Sequence, residues 1–115
     1  MTLRPDDLKT CVCDLRRVPV PEWGGEVCMC VPSSARRDAV EAAVWKDGKQ
    51  DLTNFKARLV ALCLCYEDGT PWYPDAVAGA EAVGAHSSKI VRRLFHVARQ
   101  LCPVGDEDLE ALEKN

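Results

Sequence analysis

The sequence lacks any long hydrophobic run. No stretch reaches the roughly 18 apolar residues that a membrane-spanning helix needs, so no membrane partner is expected. The first residues, M-T-L-R-P-D-D-L-K, also lack the apolar core of a secretory signal peptide. The cytosol is therefore the expected location, and there the seven cysteines should stay reduced. Their odd number also fits poorly with a closed disulfide framework.

The chain has no strong excess of charge of either sign. Its 15 Lys and Arg and 18 Asp and Glu residues give a net charge of −3 and are interleaved. A nucleic-acid-binding protein needs a basic face to neutralise phosphates, so no nucleic-acid partner is expected. A chain of 115 residues has the length of one domain and can fold without disulfides.

Motifs that mark common catalytic sites are missing as well. The sequence contains no P-loop, no G-x-G-x-x-G, no H-E-x-x-H and no G-x-S-x-G. His86 or His96 could act with a cysteine as a base–nucleophile pair, but no local signature supports this pairing. The residues alone therefore show no catalytic site, and no cofactor is expected.

Three C-x-C pairs stand out from this background. They are Cys11/Cys13, Cys28/Cys30 and Cys63/Cys65. Structural zinc sites typically place about two to four residues between paired cysteines, because the intervening turn brings both thiolates to one ion. The favoured interpretation is therefore small, buried, apolar side chains without a bound metal. A small cysteine-based metal or redox protein remains an alternative.

The most hydrophobic and most periodic stretch spans residues 54–69. Its apolar stripe has helical spacing and consists of Phe55, Leu59, Leu62, Cys63 and Tyr66. Thr53 or Asn54 can cap the start, and Gly69 suits the exit. This pattern predicts a central core helix, although residues 63–66 could instead leave it as a short strand.

The N-terminal part predicts a β-hairpin. Residues 1–10 are polar and are expected to be loosely ordered. β-Prone residues 11–20 and 26–31 flank a turn over residues 21–25, whose two glycines permit positive φ. Alternate residues of the second strand share a face, with Val27, Met29 and Val31 on one side and Cys28 and Cys30 on the other.

A helix over residues 35–46 is predicted between the hairpin and the core helix. Its inner face is expected to consist of Val40, Ala43, Val44 and, beside them, Ala39. Trp45 is expected to seal the end of this helix, and Asp47 and Gly48 to terminate it.

Three further helices are predicted after the core helix, over residues 76–83, 89–101 and 107–113. Their expected N-caps are Asp75, Ser87 or Ser88, and Asp106. Two adjacent apolar stripes run along the second of them: Ile90, Leu94, Val97 and Leu101, and Val91, Phe95 and Ala98. These elements predict an α+β fold, a mostly helical single domain over residues 1–115 with four to five helices and an N-terminal β-hairpin.

Five motifs, in this order, resemble those of the tail assembly chaperones of tailed bacteriophages. They are V-P-V-P-E-W-G-G-E-V at 18–27, A-R-R-D-A-V-E at 35–41, F-K-A-R-L-V-A-L-C-L-C-Y-E-D-G-T-P-W-Y at 55–73, V-G-A-H-S-S-K-I-V-R-R-L-F-H-V-A-R-Q-L at 83–101 and D-E-D-L-E-A-L-E-K-N at 106–115. Each motif is weak alone, but their order over most of the chain is specific.

The resemblance implies an assembly factor and not an enzyme. Members of this family bind the tape measure protein, keep it soluble and help recruit tail tube subunits. The implied partners are the tape measure protein, the major tail tube protein and further copies of this chain. A longer form made by ribosomal frameshifting is also implied. The family acts in the host cytoplasm and is absent from the mature virion. A structural tail protein or a head–tail connector is a further alternative.

A helix-binding chaperone needs an exposed apolar strip with a polar rim. The candidates are apolar residues in excess of one core, together with two arginines at the rim. They are Trp45, Trp72, Tyr73, Val91 and Phe95, with Arg92 and Arg93.

Overall fold

The computed structural model of the chain describes residues 2–7 and 15–103. In chain order its strands and helices are β1 (Arg16–Val20), β2 (Gly25–Met29), α1 (Ser34–Val44), β3 (Trp45–Lys46), β4 (Lys49–Gln50), α2 (Phe55–Cys63), β5 (Leu64–Cys65), α3 (Ala76–Gly84) and α4 (Ser88–Leu101). The predicted α+β fold with an N-terminal β-hairpin is confirmed. The predicted helix over residues 107–113 lies outside the described residues. Residues 11–14 of the predicted first strand also lie outside them.

The hairpin forms the first two strands of a small antiparallel sheet. Strand β1 pairs with β2 in a register that places Arg16 opposite Met29. The 3-10 turn Pro21–Trp23 connects them, and Gly24 closes it with a φ of 78°, which glycine adopts without steric cost. Strand β5 pairs with the other edge of β2, so the strand order is β1-β2-β5.

The two faces of β2 have different neighbours, as the alternation predicts. Val27 and Met29 belong to the main core. Cys28 and Cys30 belong to a separate small cluster. The expectation that Val31 shares the inner face is wrong, because Val31 lies beyond the strand and is 38% exposed.

Helix α1 begins at a serine cap and is buried along little of its length. Oγ of Ser33 accepts a hydrogen bond from the backbone N–H of Arg36 at 3.2 Å. Val44 is the buried residue of this helix. The other residues of the predicted inner face are half-buried or exposed: Val40, Ala39 and Ala43.

The helix ends at Val44 and is followed by a small hairpin, whose strands β3 and β4 have two residues each. Trp45 lies in β3, which pairs with β4. Asp47 and Gly48 have φ values of 50° and 76°, so both adopt the left-handed conformation of a tight hairpin turn. The side chain of Trp45 is 59% exposed, so the prediction that it seals the end of the helix is wrong.

Helix α2 is the centre of the domain, as predicted, but it is shorter than residues 54–69. All of its residues except Lys56 are buried. The predicted cap at its start is wrong, because no side chain caps the helix and Asn54 has a φ of 55°. At its end the chain leaves as β5, because pairing with β2 replaces a further helical turn. Tyr66 therefore lies outside the stripe and is 58% exposed.

Helices α3 and α4 confirm the predicted caps. Oδ1 of Asp75 accepts hydrogen bonds from the N–H groups of Val77 and Ala78 at 3.0 and 3.2 Å. Oγ of Ser87 accepts from the N–H of Lys89 at 3.2 Å. Both helices pack on α2. The described helices include none that is both long enough and apolar enough to cross a membrane.

Candidate partner-binding surface

Two of the predicted partner-binding residues lie in the core. Val91 and Phe95 are 9% and 6% exposed on the inner face of α4. The ring of Phe95 meets that of Phe55 edge to face, with 6.4 Å between centroids. These side chains hold α4 against α2, so in this conformation they offer almost no surface to a partner.

The two predicted rim arginines have different surroundings. Arg93 donates from both terminal nitrogens to the carboxylate of Glu22, each at 2.8 Å. These hydrogen bonds lower the pKa of Glu22 to about 2. Beside this ion pair, the rings of Trp23 and His86 lie 4.9 Å apart. Arg93 thus secures the turn of the hairpin against α4, whereas Arg92 is exposed.

The three remaining predicted residues are aromatic and accessible to different degrees. Trp45 is exposed on β3. Trp72 and Tyr73 are half-buried against the core, with 6.5 Å between their ring centroids. Tyr66 extends this group, because its ring lies 6.2 Å from that of Trp72. Tyr66, Trp72 and Tyr73 form an aromatic patch that the sequence indicated only in part.

A groove between α1 and the start of α3 is a more extended apolar surface. Its cavity has a volume of about 470 Å³. We call it the α1–α3 groove, and its apolar lining consists of Ala35, Ala39, Val40, Ala43, Pro74, Ala76 and Val77. Alanine recurs every four residues along the α1 side, which is one face of a helix. A cavity lies open between these short side chains and the start of α3.

Cavities at both ends lengthen this groove. At one end a cavity of about 220 Å³ shares Ala43 and Val77 with it and carries charged residues, among them Lys46 and Glu81. At the other end a cavity of about 340 Å³ shares Arg36 with it. The combined surface has an apolar floor and charged side chains at its margins, which is the pattern of a helix-binding groove.

Arginine side chains fix the backbone around the groove. Arg36 donates to the carbonyl of Pro74 at 3.0 Å and ties α1 to the segment before α3. Arg58 is 5% exposed and donates to the carbonyls of Thr53 and Asp51 at 3.1 and 3.0 Å. Burial lowers the pKa of Arg58, but two carbonyl oxygens satisfy the guanidinium. These bonds keep the groove walls in position without filling the space between them.

Sequence reasoning missed this groove because it assigned Ala39 and Ala43 to the inner face of α1. A signal was present in the sequence. Alanine stands at every fourth position of α1, at residues 35, 39 and 43, so this line along the helix carries no large apolar side chain. A stripe of alanines can lie in a core, but it can also form a surface that a second helix approaches closely. In the structure the alanine stripe of α1 lines the open groove.

The cysteines and histidines form no evident chemical centre in the described part of the chain. No three His, Cys, Asp or Glu side chains of residues 2–7 and 15–103 are arranged to hold a metal ion. Burial raises the pKa values of the Cys63 and Cys102 thiols, which keeps them neutral. His96 is exposed on α4. The pair Cys11/Cys13 lies outside the described residues.

The comparisons with known proteins bear on the fold. No protein-family model matches the chain. No curated protein matches it either. Among solved structures, it is similar to the tail assembly chaperone of bacteriophage HK97, with a TM-score of 0.56 and 24% sequence identity. The match covers 86% of this chain and 90% of that chain. The chain therefore has the fold of a phage tail assembly chaperone, and the resemblance predicted from its sequence is confirmed at the level of the fold.

Proposed function

We propose that this protein is a tail assembly chaperone of a tailed bacteriophage. The observation that carries the proposal is the fold, which extends over 86% of this chain and 90% of the HK97 chaperone. In this role it binds the tape measure protein, keeps it soluble and helps recruit subunits of the tail tube. It acts in the host cytoplasm as an interaction protein without catalysis and is absent from the mature virion.

The α1–α3 groove is the proposed binding site for the tape measure protein. Its occupant is one amphipathic helix of that protein, with the apolar face of the helix against the alanine-lined floor. Ala35 and Ala39 are exposed, and small side chains let a second helix approach closely. Charged side chains such as Lys46 and Glu81 at the margin would contact the polar flanks of the helix.

Several copies of the chain would line up along one tape measure protein. Each copy would cover one apolar stretch of that long helical chain, which would otherwise aggregate. Covering many stretches at once raises the overall affinity above that of a single groove, because later contacts form within one assembly. A longer frameshifted form would add contacts to tail tube subunits.

A co-expression experiment tests this function. The full chain, carrying an affinity tag, is expressed together with the tape measure protein from the same genome. We expect the tape measure protein to become soluble and to elute with more than one copy of the tagged chain. A tape measure protein that stays insoluble, both with this chain and with its longer form, would contradict the proposal.

The same experiment tests the groove. Ala39→Glu places a long charged side chain on the groove floor, whereas Ala42→Glu places the same side chain on an exposed part of α1 outside the groove lining. Both substitutions keep a good helix former, so α1 should persist. Solubilisation should be lost in the first variant and kept in the second. If both variants solubilise the tape measure protein equally well, the binding site lies elsewhere.

A further inference from the structure

The outward face of α4 carries basic side chains and no carboxylate. These side chains follow each other at spacings of three and four residues, so they share one side of the helix. We call this surface the α4 basic face, and it consists of the exposed residues Lys89, Arg92, His96 and Arg99. Residues 82–105 contain no Asp or Glu at all. The face is therefore basic along its whole length.

Two neighbouring elements add positive charge to this face. Lys56 is the exposed residue of α2, and its Nζ lies 5.7 Å from the centroid of the Phe95 ring. The guanidinium of Arg99 lies 5.9 Å from the same centroid. On β1, the exposed side chain of Arg16 donates a hydrogen bond to the side chain of Gln100. Cations from three elements thus meet on one side of the domain.

The described carboxylates leave these cations without ion pairs. Among residues 2–7 and 15–103, the ion pairs involve Arg17, Arg37 and Arg93, and Arg93 holds Glu22 through two hydrogen bonds. The exposed surface of α1, in contrast, carries Asp38 and Glu41 beside its two arginines. A surface of one sign attracts the opposite charge, so the α4 basic face is suited to an anionic occupant.

The sequence concentrates acidic residues directly after this helix. Residues 106–113, D-E-D-L-E-A-L-E, hold five of the 18 acidic residues of the chain and no basic residue. Because the net charge of the whole chain is −3, the remainder of the chain carries a net charge of +2. The negative charge of the protein therefore comes from this one segment, and its charge complements that of the α4 basic face.

We propose that residues 106–113 bind to the α4 basic face of the same chain and shield it from other anions. The described chain passes the end of α4 at Leu101 and is held at Pro103, whose carbonyl accepts a hydrogen bond from Arg37 at 2.9 Å. Proline cannot continue the helix, and connections of about two to five residues typically join antiparallel helices. Residues 102–105 provide such a connection.

The acidic segment is long enough to cover the face. Arg92 and Arg99 are seven residues apart, which corresponds to about 10 Å along the axis of α4. The segment 106–113 measures about 12 Å as a helix and about 26 Å when extended. Its carboxylates can reach both arginines in either conformation. Its two leucines, Leu109 and Leu112, would lie against the aliphatic parts of the arginine side chains.

The proposed contact is electrostatic and reversible. Exposed ion pairs are individually weak and are screened by salt, so the contact needs several of them at once and loosens as the ionic strength rises. An anionic partner that binds the α4 basic face more tightly would displace the segment. The face would thus be closed to weakly anionic molecules and open to strongly anionic ones.

Nuclear magnetic resonance of the full-length protein tests the inference. Backbone amide shifts of the wild type are compared with those of a variant in which five carboxylates become amides: Asp106→Asn, Glu107→Gln, Asp108→Asn, Glu110→Gln and Glu113→Gln. Outside the substituted segment, we expect the largest shift changes at residues 89–99. Raising the salt concentration to about 0.5 M should move the wild-type signals toward those of the variant, because salt screens the contact.

A matched variant and a dilution series complete the test. Asp38→Asn combined with Glu41→Gln removes carboxylates from α1 and should leave the signals of residues 89–99 unchanged. A contact within one chain should also be independent of protein concentration. The inference is overturned if neutralising residues 106–113 leaves the signals of residues 89–99 unchanged, or if the shift changes fall on α1 instead. It is equally overturned if the changes disappear on dilution, which would show that the segment binds another copy.

Discussion

Helices α1 and α2 belong to the same small domain, but they are held in different ways. Eight of the nine residues of α2 are buried. One of the eleven residues of α1, Val44, is buried. Helix α2 packs against α3 and α4 and shares one core with residues of β1 and β2, so its position is set by apolar burial. Along the rest of helix α1, Val40 is half-buried against the core.

Polar side chains replace apolar packing along α1. Arg36 donates to the carbonyl of Pro74, and Arg37 donates to the carbonyl of Pro103 at 2.9 Å. These bonds fix the position of the helix while leaving its alanine face uncovered. The comparison teaches that apolar packing and open apolar surface lie on different helices: α2 and α4 hold the fold, and α1 presents an uncovered alanine face.

The largest loss of stability is expected from a substitution in the buried core that α2 and α4 share. Leu94 on α4 is fully buried, so Leu94→Ala should lower the free energy of unfolding by about 2–5 kcal/mol. The matched change Val40→Ala on half-buried α1 should cost about 1 kcal/mol. Urea unfolding followed by circular dichroism measures both. Equal losses would show that α1 is as much a part of the core as α4.

The second largest effect on stability is expected at Gly79 of α3, which packs against the ring of Tyr73. A Cβ atom added at Gly79 would lie 2.5 Å from Cγ of Tyr73, so Gly79→Ala forces the ring away. We expect a loss of about 1–3 kcal/mol, despite the better helix propensity of alanine. Combining Gly79→Ala with Tyr73→Ala should relieve part of the cost, as a double-mutant cycle would show. Strict additivity would contradict this contact.

The two helix caps compare α3 with α1 directly. Asp75→Ala removes two hydrogen bonds at the start of α3 and should cost about 1 kcal/mol of global stability. Ser33→Ala removes one hydrogen bond at the start of α1. Its effect should appear mainly as faster amide hydrogen exchange within α1, because that helix can open locally. An equal loss of global stability in the two variants would be inconsistent with this division.

The smallest effect is the pH dependence of the Glu22–Arg93 pair. Hydrogen bonds from Arg93 lower the pKa of Glu22 from 4.5 to about 2. A lowered pKa in the folded state means that the pair stabilises the protein above the unfolded pKa and that this stabilisation is lost as the pH falls through the folded value. Glu22→Gln should lower Tm by roughly 1–3 °C near neutral pH, since the pair is exposed.

The difference in Tm between wild type and Glu22→Gln should shrink as the pH falls from about 4.5 through about 2. Arg92→Gln, which changes the exposed neighbouring arginine, serves as the control and should show no such trend. A constant difference between wild type and Glu22→Gln across this pH range would show that the ion pair does not link the hairpin to α4.

The elements that could be predicted are those with local signals. Helices α3 and α4 followed from Asp75, Ser87 and the apolar period of residues 89–101, because caps and periodicity act within a few residues. The hairpin followed from alternation and two glycines. The exit of the chain from α2 could only be left open, since it depends on pairing between β5 and β2, which are distant in sequence.

The exposure of the candidate residues was harder to predict, because burial is decided by the whole fold. Val91 and Phe95 were chosen as surplus apolar residues, yet α4 needs both stripes to pack on α2. Alanine occurs both on buried and on exposed helix faces, so Ala39 alone did not indicate whether its face of α1 is buried. Asp47 and Gly48 were interpreted as the end of a helix, although the same pair forms hairpin turns.

The most direct test of the division between α1 and the core is the affinity of purified protein for the tape measure protein. Binding of wild type, Ala39→Glu and Ala42→Glu to a soluble fragment of the tape measure protein is measured by calorimetry, alongside urea unfolding of each variant. We expect Ala39→Glu to weaken binding at least about tenfold with unchanged stability, and Ala42→Glu to bind like wild type. Equal binding by all three stable proteins would contradict the assignment of the α1–α3 groove.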